Sequence, residues 1–425
     1  MQRKEYILLL TLALIQFTHV MDFMIIMPLG NQLMKLFEIG PQKFGFIVSA
    51  YTITAGLVGF AGAFFVDNFD RKKMLLSCYM GFLIGTLACA MSPNYEFMLA
   101  ARILTGAFGG LLSTLILSIV GDAIPNERRG MAMGVVTAGF SLASVFGVPF
   151  GNFLATKFSW HAPFFFIAAA GVVVALLIMQ FIPYMSEHIQ DKSRRPDMMG
   201  VIRSLAKNLN QRRALLLMSL MMLAQFSVIP FIAAYMEKNV GFTQLEVTYI
   251  YLFGGLCTVF TSPMIGKLAD RIGKQKVYAI FATLSLIPLY LITNMTVWPI
   301  WVVLIVTSFF FIVITGRVVP AMAMITSTTL PQNRGSFMSF NSSVQQLSAG
   351  IAAFMSGAIV TENEAGQLQN YSVVGYIAMA ACVLSIWAAY RIVSAEEYAT
   401  LRHSSHSSSL FDKLRVTSNR LKRKL

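Results

Sequence analysis

Asp22 is the only carboxylate set deep within a long apolar run of this sequence, and His19 stands three residues before it. At that spacing the two share one face of a helix. Two arginines, Arg102 and Arg317, are also embedded in uncharged stretches. A charge at the centre of an apolar helix costs about 3 kcal/mol or more, so such residues are paired, or do chemistry, or both. The chemistry open to a carboxylate beside an imidazole and a guanidinium is the uptake and release of a proton. A neighbouring cation favours the ionised carboxylate, whereas burial favours the neutral acid. A site that alternates between wet and dry therefore switches between the two. If Arg102 stands beside it, Asp22 loads a proton as its surroundings close and releases Arg102 to a substrate. His19 is then a relay, since imidazole has the ordinary pKa nearest neutrality. The competing readings are a static Asp22–Arg102 ion pair and a hydrogen-bonded structural His19. For Arg317, contact with substrate stands against a gate or packing role in which it bonds backbone.

These side chains need elements that cross a membrane. The chain has 425 residues, 56% hydrophobic and 12% charged, whereas a soluble domain carries about 25% charged residues. Its continuous apolar runs have the length of ~20 residues that a helix needs to cross ~30 Å of hydrocarbon, and they do not alternate as barrel strands do. Twelve spans are predicted, at 6–29, 44–66, 74–92, 97–121, 130–155, 162–184, 214–236, 244–265, 277–296, 300–325, 336–360 and 372–390. The first is long enough to cross and has no small-residue cleavage site, so it reads as an uncleaved helix. At ~1.5 Å per residue Asp22 lies about 10 Å from the outer end of the first span and Arg102 roughly 8 Å from that of the fourth. Arg317 lies some 25 Å down the tenth by the same rise.

The net charge of +14 follows topology and does not point to nucleic acid. With a cytoplasmic N-terminus, Lys35, Lys43, Lys157 and Lys238 are the only basic residues in outer loops, and Arg102 and Arg317 are within spans. The remaining basic residues fall on the inner side, as the positive-inside rule requires, which places both termini in the cytoplasm. The four cysteines, Cys78, Cys89, Cys257 and Cys382, stand in apolar runs as small hydrophobes. Neither disulfide nor metal spacing is present, and no nucleotide-cradling loop points to ATP-driven transport, an enzyme or a cofactor.

The longest polar stretch divides the chain into a six-helix half at 1–184, a linker at 185–213 and a second six-helix half at 214–394, followed by a basic tail at 395–425. In the linker Met198, Ile202, Leu205 and Leu209 recur at helical spacing, as in a helix lying on the cytoplasmic surface. The halves repeat. Asp67-x-x-Asp70-Arg71-Lys72-Lys73 follows the second span and Gly266-x-x-x-Asp270-Arg271-x-Gly273-Lys274-x-Lys276 the eighth. Pro125-x-x-x-Arg129-Gly130 and Pro331-x-x-Arg334-Gly335 follow the fourth and tenth at nearly the same interval. Duplicated halves place a transport site at their interface.

The loop from Gly266 to Lys276 resembles the loop signature of the major facilitator superfamily. The first-half copy departs from it, with Gly62 one place early, Asn68 for Arg and Asp70 for Gly. In the fifth span Gly139 and Gly147-Val-Pro149-Phe-Gly151 resemble the Gly/Pro motif of proton-coupled antiporters of the drug- and arabinose-efflux type; the plainer reading is ordinary helix packing. The resemblance implies an all-α membrane fold of twelve helices in two pseudo-symmetric halves, with spans one and four lining a central cavity. It also implies a latch, in which Asp67 meets the start of span eleven near Gly335, and Asp270 that of span five near Gly130, on the cytoplasmic side. Arg71, Arg271 and Lys274 would buttress it; the bland alternative is charge that only sets topology.

Gln16, on the face of His19, Thr105, one turn from Arg102, and Gln225, Asn341, Gln345 and Gln346 are candidate cavity residues, against a role as interhelical glue. The function expected is proton-coupled efflux of a small amphiphile by alternating access, with protons, substrate and membrane lipid as partners and a monomer sufficing. With Asp22 paired and Arg317 unpaired, neutral, zwitterionic or anionic amphiphiles suit the cavity better than cations. The setting expected is a bacterial plasma membrane. An uptake symporter and a transporter-like sensor or scaffold are the alternatives. The tail residues Arg415, Arg420, Lys422, Arg423 and Lys424 either lie on anionic lipid or remain solvated.

Overall fold

The structure is a computed structural model that describes residues 3–125, 128–186, 203, 205, 208–330, 334–398 and 400, apart from the side chains of Ala63 and Asp67. Most of the linker and of the tail lie outside these residues, and with them the surface-helix and lipid-contact expectations.

Among the described residues eleven helices are long and apolar enough to cross a bilayer: Arg3–Ile25, Pro41–Gly62, Arg71–Ala90, Tyr95–Ala123, Arg129–Lys157, Ala162–Phe181, Leu209–Val240, Gln244–Ile272, Lys274–Thr293, Ile300–Ser327 and Tyr371–Tyr390. They are spans 1 to 10 and span 12. Span 11, Arg334–Ile359, carries Ser336, Ser339, Asn341, Ser342, Ser343, Gln345 and Gln346, which lower its hydropathy. Protein contact on its polar face makes this tolerable, because it packs along span 2 at backbone distance. A Cβ on Gly45 would stand 2.8 Å from the Gly357 Cα, and one on Gly350 3.0 Å from the Ile53 nitrogen.

Local chemistry sets the ends. Asp70 accepts from the Lys73 amide and Asn94 from the Phe97 amide, capping spans 3 and 4. Thr243 and Glu246 form a reciprocal capping box on span 8. Gly273, at φ +98°, makes the turn between spans 8 and 9 that other residues enter at a cost. Among the described residues, three spans break inside the apolar region; span 9 does so at Ser285, between Lys274–Leu284 and Leu286–Thr293. Span 1 stops at Ile25, turns through Pro28 and resumes as Gly30–Leu36. Span 7 stops at Phe226 and resumes at Ile229, with Pro230 in the new first turn. Proline lacks the amide that would continue the ladder. A two-stranded hairpin, Thr361–Glu362 with Leu368–Gln369, joins spans 11 and 12; the hydropathy pattern alone does not predict it.

The apolar core forks. At the end of the bundle away from the termini, one buried cluster includes Ile25, Leu29 and Phe44 of the first half together with Phe231, Val240 and Tyr371 of the second. Toward the termini it gives way to one cluster within the first half around Leu12, Leu75 and Leu115 and to two within the second, a large one around Leu217, Tyr278 and Met324 and a small one of Ile265, Ala269 and Val277. Polar contacts seal the shared end. Asn31 donates to Glu237 at 2.5 Å, Gln244 to Gln32 at 3.2 Å, and Asn152 to Thr248 at 2.8 Å. Spans 5 and 8 meet where a Cβ on Gly255 would stand 2.8 Å from the Val145 Cα, whereas Gly130 and Gly134, nearer the termini, have nothing within 4 Å of a Cβ.

Candidate functional site

Small residues bring the charged side chains together. A Cβ on Gly106 would fall 2.3 Å from the Tyr51 carbonyl oxygen, and one on Gly110 2.1 Å from that of Ala55. Span 4 therefore lies with its backbone against span 2. Gly85 admits Thr105 on the other side, with the Thr105 Cγ2 2.6 Å from a Cβ there. This packing carries Arg102 to the wall of span 1. Its Nη1 donates to Asp22 Oδ2 at 2.8 Å and to the Asp22 carbonyl at 3.2 Å. Thr86 of span 3 donates to the other carboxylate oxygen at 3.0 Å. Both members of the ion pair have no solvent exposure. The Arg102 guanidinium lies over the Tyr51 ring, 4.4 Å from its centroid.

His19 joins this cluster without a hydrogen bond. Both its ring nitrogens, the Tyr51 hydroxyl, and Nε and Nη2 of Arg102 are buried without a partner among the described residues. His19 stands 6.0 Å from the rings of Tyr51 and Phe82.

The expected cavity residues divide. Gln225 and Asn341 are buried on the second half, each with its amide oxygen unpaired, and Gln345 is half-buried. Gln16 packs on span 5 beside Gly139. Thr105 faces span 3 and bonds the Ala101 and Arg102 carbonyls of its own helix, so it lies within the first half and not on its open face. The same holds for Arg317 in the second half. It is fully buried, donates to the Cys382 sulfur of span 12 at 3.1 Å, and keeps Nε and Nη2 unpaired. Its position along span 10 leaves its azimuth open, and the side chain points to span 12. It does not reach the interface between the halves.

Among the described side chains, Arg71, Asp270, Arg271 and Lys274 form no latch between the halves; the Asp67 side chain lies outside them. Arg71 pairs with Asp122 at the end of span 4, at 2.8 Å, an intra-half contact. Asp270 and Arg271 are exposed and Lys274 is half-buried, with no ion pair among the described residues. Gly130, the expected contact of Asp270, has open space. Asp67 lies in the turn Val66–Asn68.

The Gly/Pro motif has a definite job in packing. Gly139, Gly147 and Gly151 all face span 1. A Cβ on Gly139 would meet the Ala13 carbonyl oxygen at 2.2 Å, one on Gly147 the Met21 sulfur at 3.2 Å, and one on Gly151 the Ile25 Cδ1 at 2.5 Å. One π-type turn, Ala143–Gly147, precedes Pro149 and marks the local bend. Gly139→Ala is expected to lower stability by about 1–3 kcal/mol, the usual cost of overpacking, because a backbone oxygen cannot rotate away. Thermal unfolding in detergent checks this; an unchanged midpoint would mean that the helices part at no cost.

Sequence reasoning missed Thr86, Tyr51 and Glu237. A threonine and a tyrosine in apolar helices carry no signal of their own. Glu237 sits at the predicted end of a span, where a charge needs no explanation.

Comparisons with known proteins agree with this architecture. The sequence matches the Major Facilitator Superfamily over residues 12–256 and again over 214–421. It is 26% identical to the uncharacterized MFS-type transporter YwfA of Bacillus subtilis, over 90% of this chain and 91% of that one. It is 24% identical to multidrug resistance protein 2 of the same organism, over 73% and 78%. Alignments with other MFS-type transporters of that species span from half to about two thirds of those relatives' lengths. A crystal structure of a D-xylose–proton symporter superposes with a TM-score of 0.73 at 16% identity, covering 92% of this chain and 98% of that one. The repeated match, the twelve helices and the paired halves have one explanation: this chain is an integral membrane transporter, not an enzyme, and belongs to the Major Facilitator Superfamily.

Proposed function

We propose that the protein exports a small amphiphilic molecule in exchange for protons, with the Asp22–Arg102 pair as the proton-carrying group. The observation that carries this reading is the pair itself. Its two charges are wholly enclosed in the first half, with two further hydrogen bonds to Asp22 and several unsatisfied polar atoms beside it. Protonating Asp22 removes the charge that Arg102 neutralises, so Arg102 becomes available to another acceptor. The bland alternative is a pair that only holds spans 1 and 4 together.

The forked core supports alternating access. The buried core is shared between the halves at one end and divides toward the end bearing both termini, where spans 2 and 11 stay in contact at Gly56–Leu347 and Phe60–Phe340. With the basic loops in the cytoplasm, this is the inward-open state of a monomer in a plasma membrane. The opposite state exchanges the seal at Asn31, Glu237, Asn152 and Thr248 for the latch at Asp67 and Asp270. Asp270→Asn is therefore expected to shift cysteine labelling at least twofold in favour of the cytoplasmic face. Labelling unchanged on both faces would leave Asp270 a charge that sets topology.

Relatives named for multidrug resistance favour export, whereas the likeness to a D-xylose–proton symporter keeps uptake as the second reading. Thermal-shift screening of neutral, zwitterionic, anionic and cationic amphiphiles identifies a ligand. Pyranine-loaded proteoliposomes then read its counterflow with protons. Ligand and proton moving in opposite directions support export. Movement in the same direction makes the protein a symporter, and ligand movement without protons overturns the coupling.

A further inference from the structure

The ion pair lies inside one half, yet alternating access moves one half against the other. Something must carry that movement to Asp22 and Arg102. The structure holds a column of aromatic rings that begins in the second half and ends on the guanidinium.

Phe226 faces Phe23 across the interface, with ring centroids 5.8 Å apart. Phe23 stacks on Tyr51 at 5.2 Å and 25°. Tyr51 lies over the Arg102 guanidinium at 4.4 Å, and Arg102 holds Asp22. Both phenylalanines stand where a helix breaks. Phe226 is the last residue before span 7 is interrupted ahead of Pro230, and Phe23 is two residues from the end of the first segment of span 1, ahead of Pro28. They are separated by the same interval as Asp67 and Asp270, so they occupy equivalent places in the two repeats and meet across the pseudo-symmetry axis. Asp22 and Gln225 are separated by that interval too; the second half carries a neutral amide where the first carries its acid. Phe226 also packs against both the shared core and the second half's own core, which places it at the fork.

Tyr51, in contrast, is fixed to Arg102. Spans 2 and 4 touch at backbone distance through Gly106 and Gly110, and a tight backbone contact moves as one body. The Tyr51 hydroxyl has no hydrogen-bond partner among the described residues, so the contacts that hold this side chain are those of its ring.

We propose that Tyr51 is a positioning residue for the Asp22–Arg102 pair, and that the Phe226–Phe23–Tyr51 column tells the pair whether the broken segments of spans 1 and 7 are in contact. Contact presses the ring onto the guanidinium and holds Arg102 on Asp22. When spans 1 and 7 part, Phe226 leaves Phe23, the ring gains room, and the guanidinium is no longer clamped. This rests on the reading that the pair carries the proton.

The test needs no ligand. Ala353, buried where span 11 meets Gly45 of span 2, is replaced by Cys in the full chain with Cys257→Ala; Cys78, Cys89 and Cys382 are buried. Its labelling rate by a membrane-impermeant maleimide is measured against pH in proteoliposomes. Tyr51→Leu and Phe226→Leu are each expected to displace the midpoint of that profile by at least one pH unit, in the same direction. Their combination moves it no further than either alone, the behaviour of one shared contact. Tyr51→Phe, which keeps the ring, retains the original midpoint. A shift in Tyr51→Phe equal to that in Tyr51→Leu would make the hydroxyl the acting group and overturn the proposal. An unmoved midpoint in Phe226→Leu, or additive shifts, would show that the column transmits nothing. Should Tyr51→Leu not fold, Phe23→Leu takes its place with the same expectations. Asp22→Asn separates the two levels. If its profile is flat while the aromatic variants keep the original midpoint, only the column fails; if its profile keeps the original pH dependence, the proton assignment itself fails.

Discussion

Asp22→Asn is expected to reduce proton-coupled transport at least ~10²-fold, the scale on which removal of a single proton-transferring group acts, with the protein still folded and inserted. Asparagine preserves the shape of the side chain and one acceptor oxygen, which can face Arg102 while its amide NH2 donates to the Thr86 hydroxyl. It removes the charge and the titratable proton. Facilitated movement of substrate down its own gradient is expected to survive, because the aromatic contacts and the seal between the halves do not involve the carboxylate. Proteoliposomes with and without a pH gradient separate the two quantities. A mutant that keeps pH-driven accumulation would move the coupling site elsewhere in the chain.

The second large effect is on stability. Arg102→Gln alone leaves a carboxylate buried with one partner fewer, and breaking a buried pair in this way costs about 3–5 kcal/mol. Asp22→Asn alone strands the guanidinium, whose Nε and Nη2 are already unpaired. The double variant, Asp22→Asn with Arg102→Gln, removes both charges and is expected to recover most of the stability while transport remains uncoupled. Neutral replacements of buried ion pairs are often as stable as the pair. Unfolding midpoints of the four proteins form a thermodynamic cycle. A double variant as unstable as the two losses added would contradict the 2.8 Å contact and leave the arginine holding something else.

The spans and the similar depth of Asp22 and Arg102 are legible because each rests on a one-dimensional quantity: span length follows from bilayer thickness, and depth from rise per residue. That the two residues face each other is implied by the family resemblance and not by depth. Azimuth is different. It depends on how neighbouring helices are rotated, and a few glycines decide that. Gly106 and Gly110 turned span 4 so that Arg102 faces Asp22 while Thr105 faces span 3. Arg317 turned toward Cys382, away from the interface, although its position along span 10 gave no hint of it. The Gly/Pro motif in span 5 was readable as a smooth face, but its partner, span 1, was not. The latch shows a third limit. The resemblance implies a contact for the signature loop, whereas Asp270 is exposed here; on the proposed alternating access that contact belongs to the other state. The aromatic column had no sequence signal, because phenylalanine is common in membrane helices. Only the interval between Phe23 and Phe226, read against the repeat, marks the pair as special.

The claim beneath all of this is that the Asp22 carboxylate itself takes up a proton within the membrane. Infrared difference spectra of the purified protein, recorded as the buffer is taken from alkaline to acidic, report it directly through the stretching band of a neutral, buried carboxylic acid. The account predicts that such a band grows in as the pH falls and is missing from Asp22→Asn. An identical band in Asp22→Asn, or none in the unmodified protein, would contradict it.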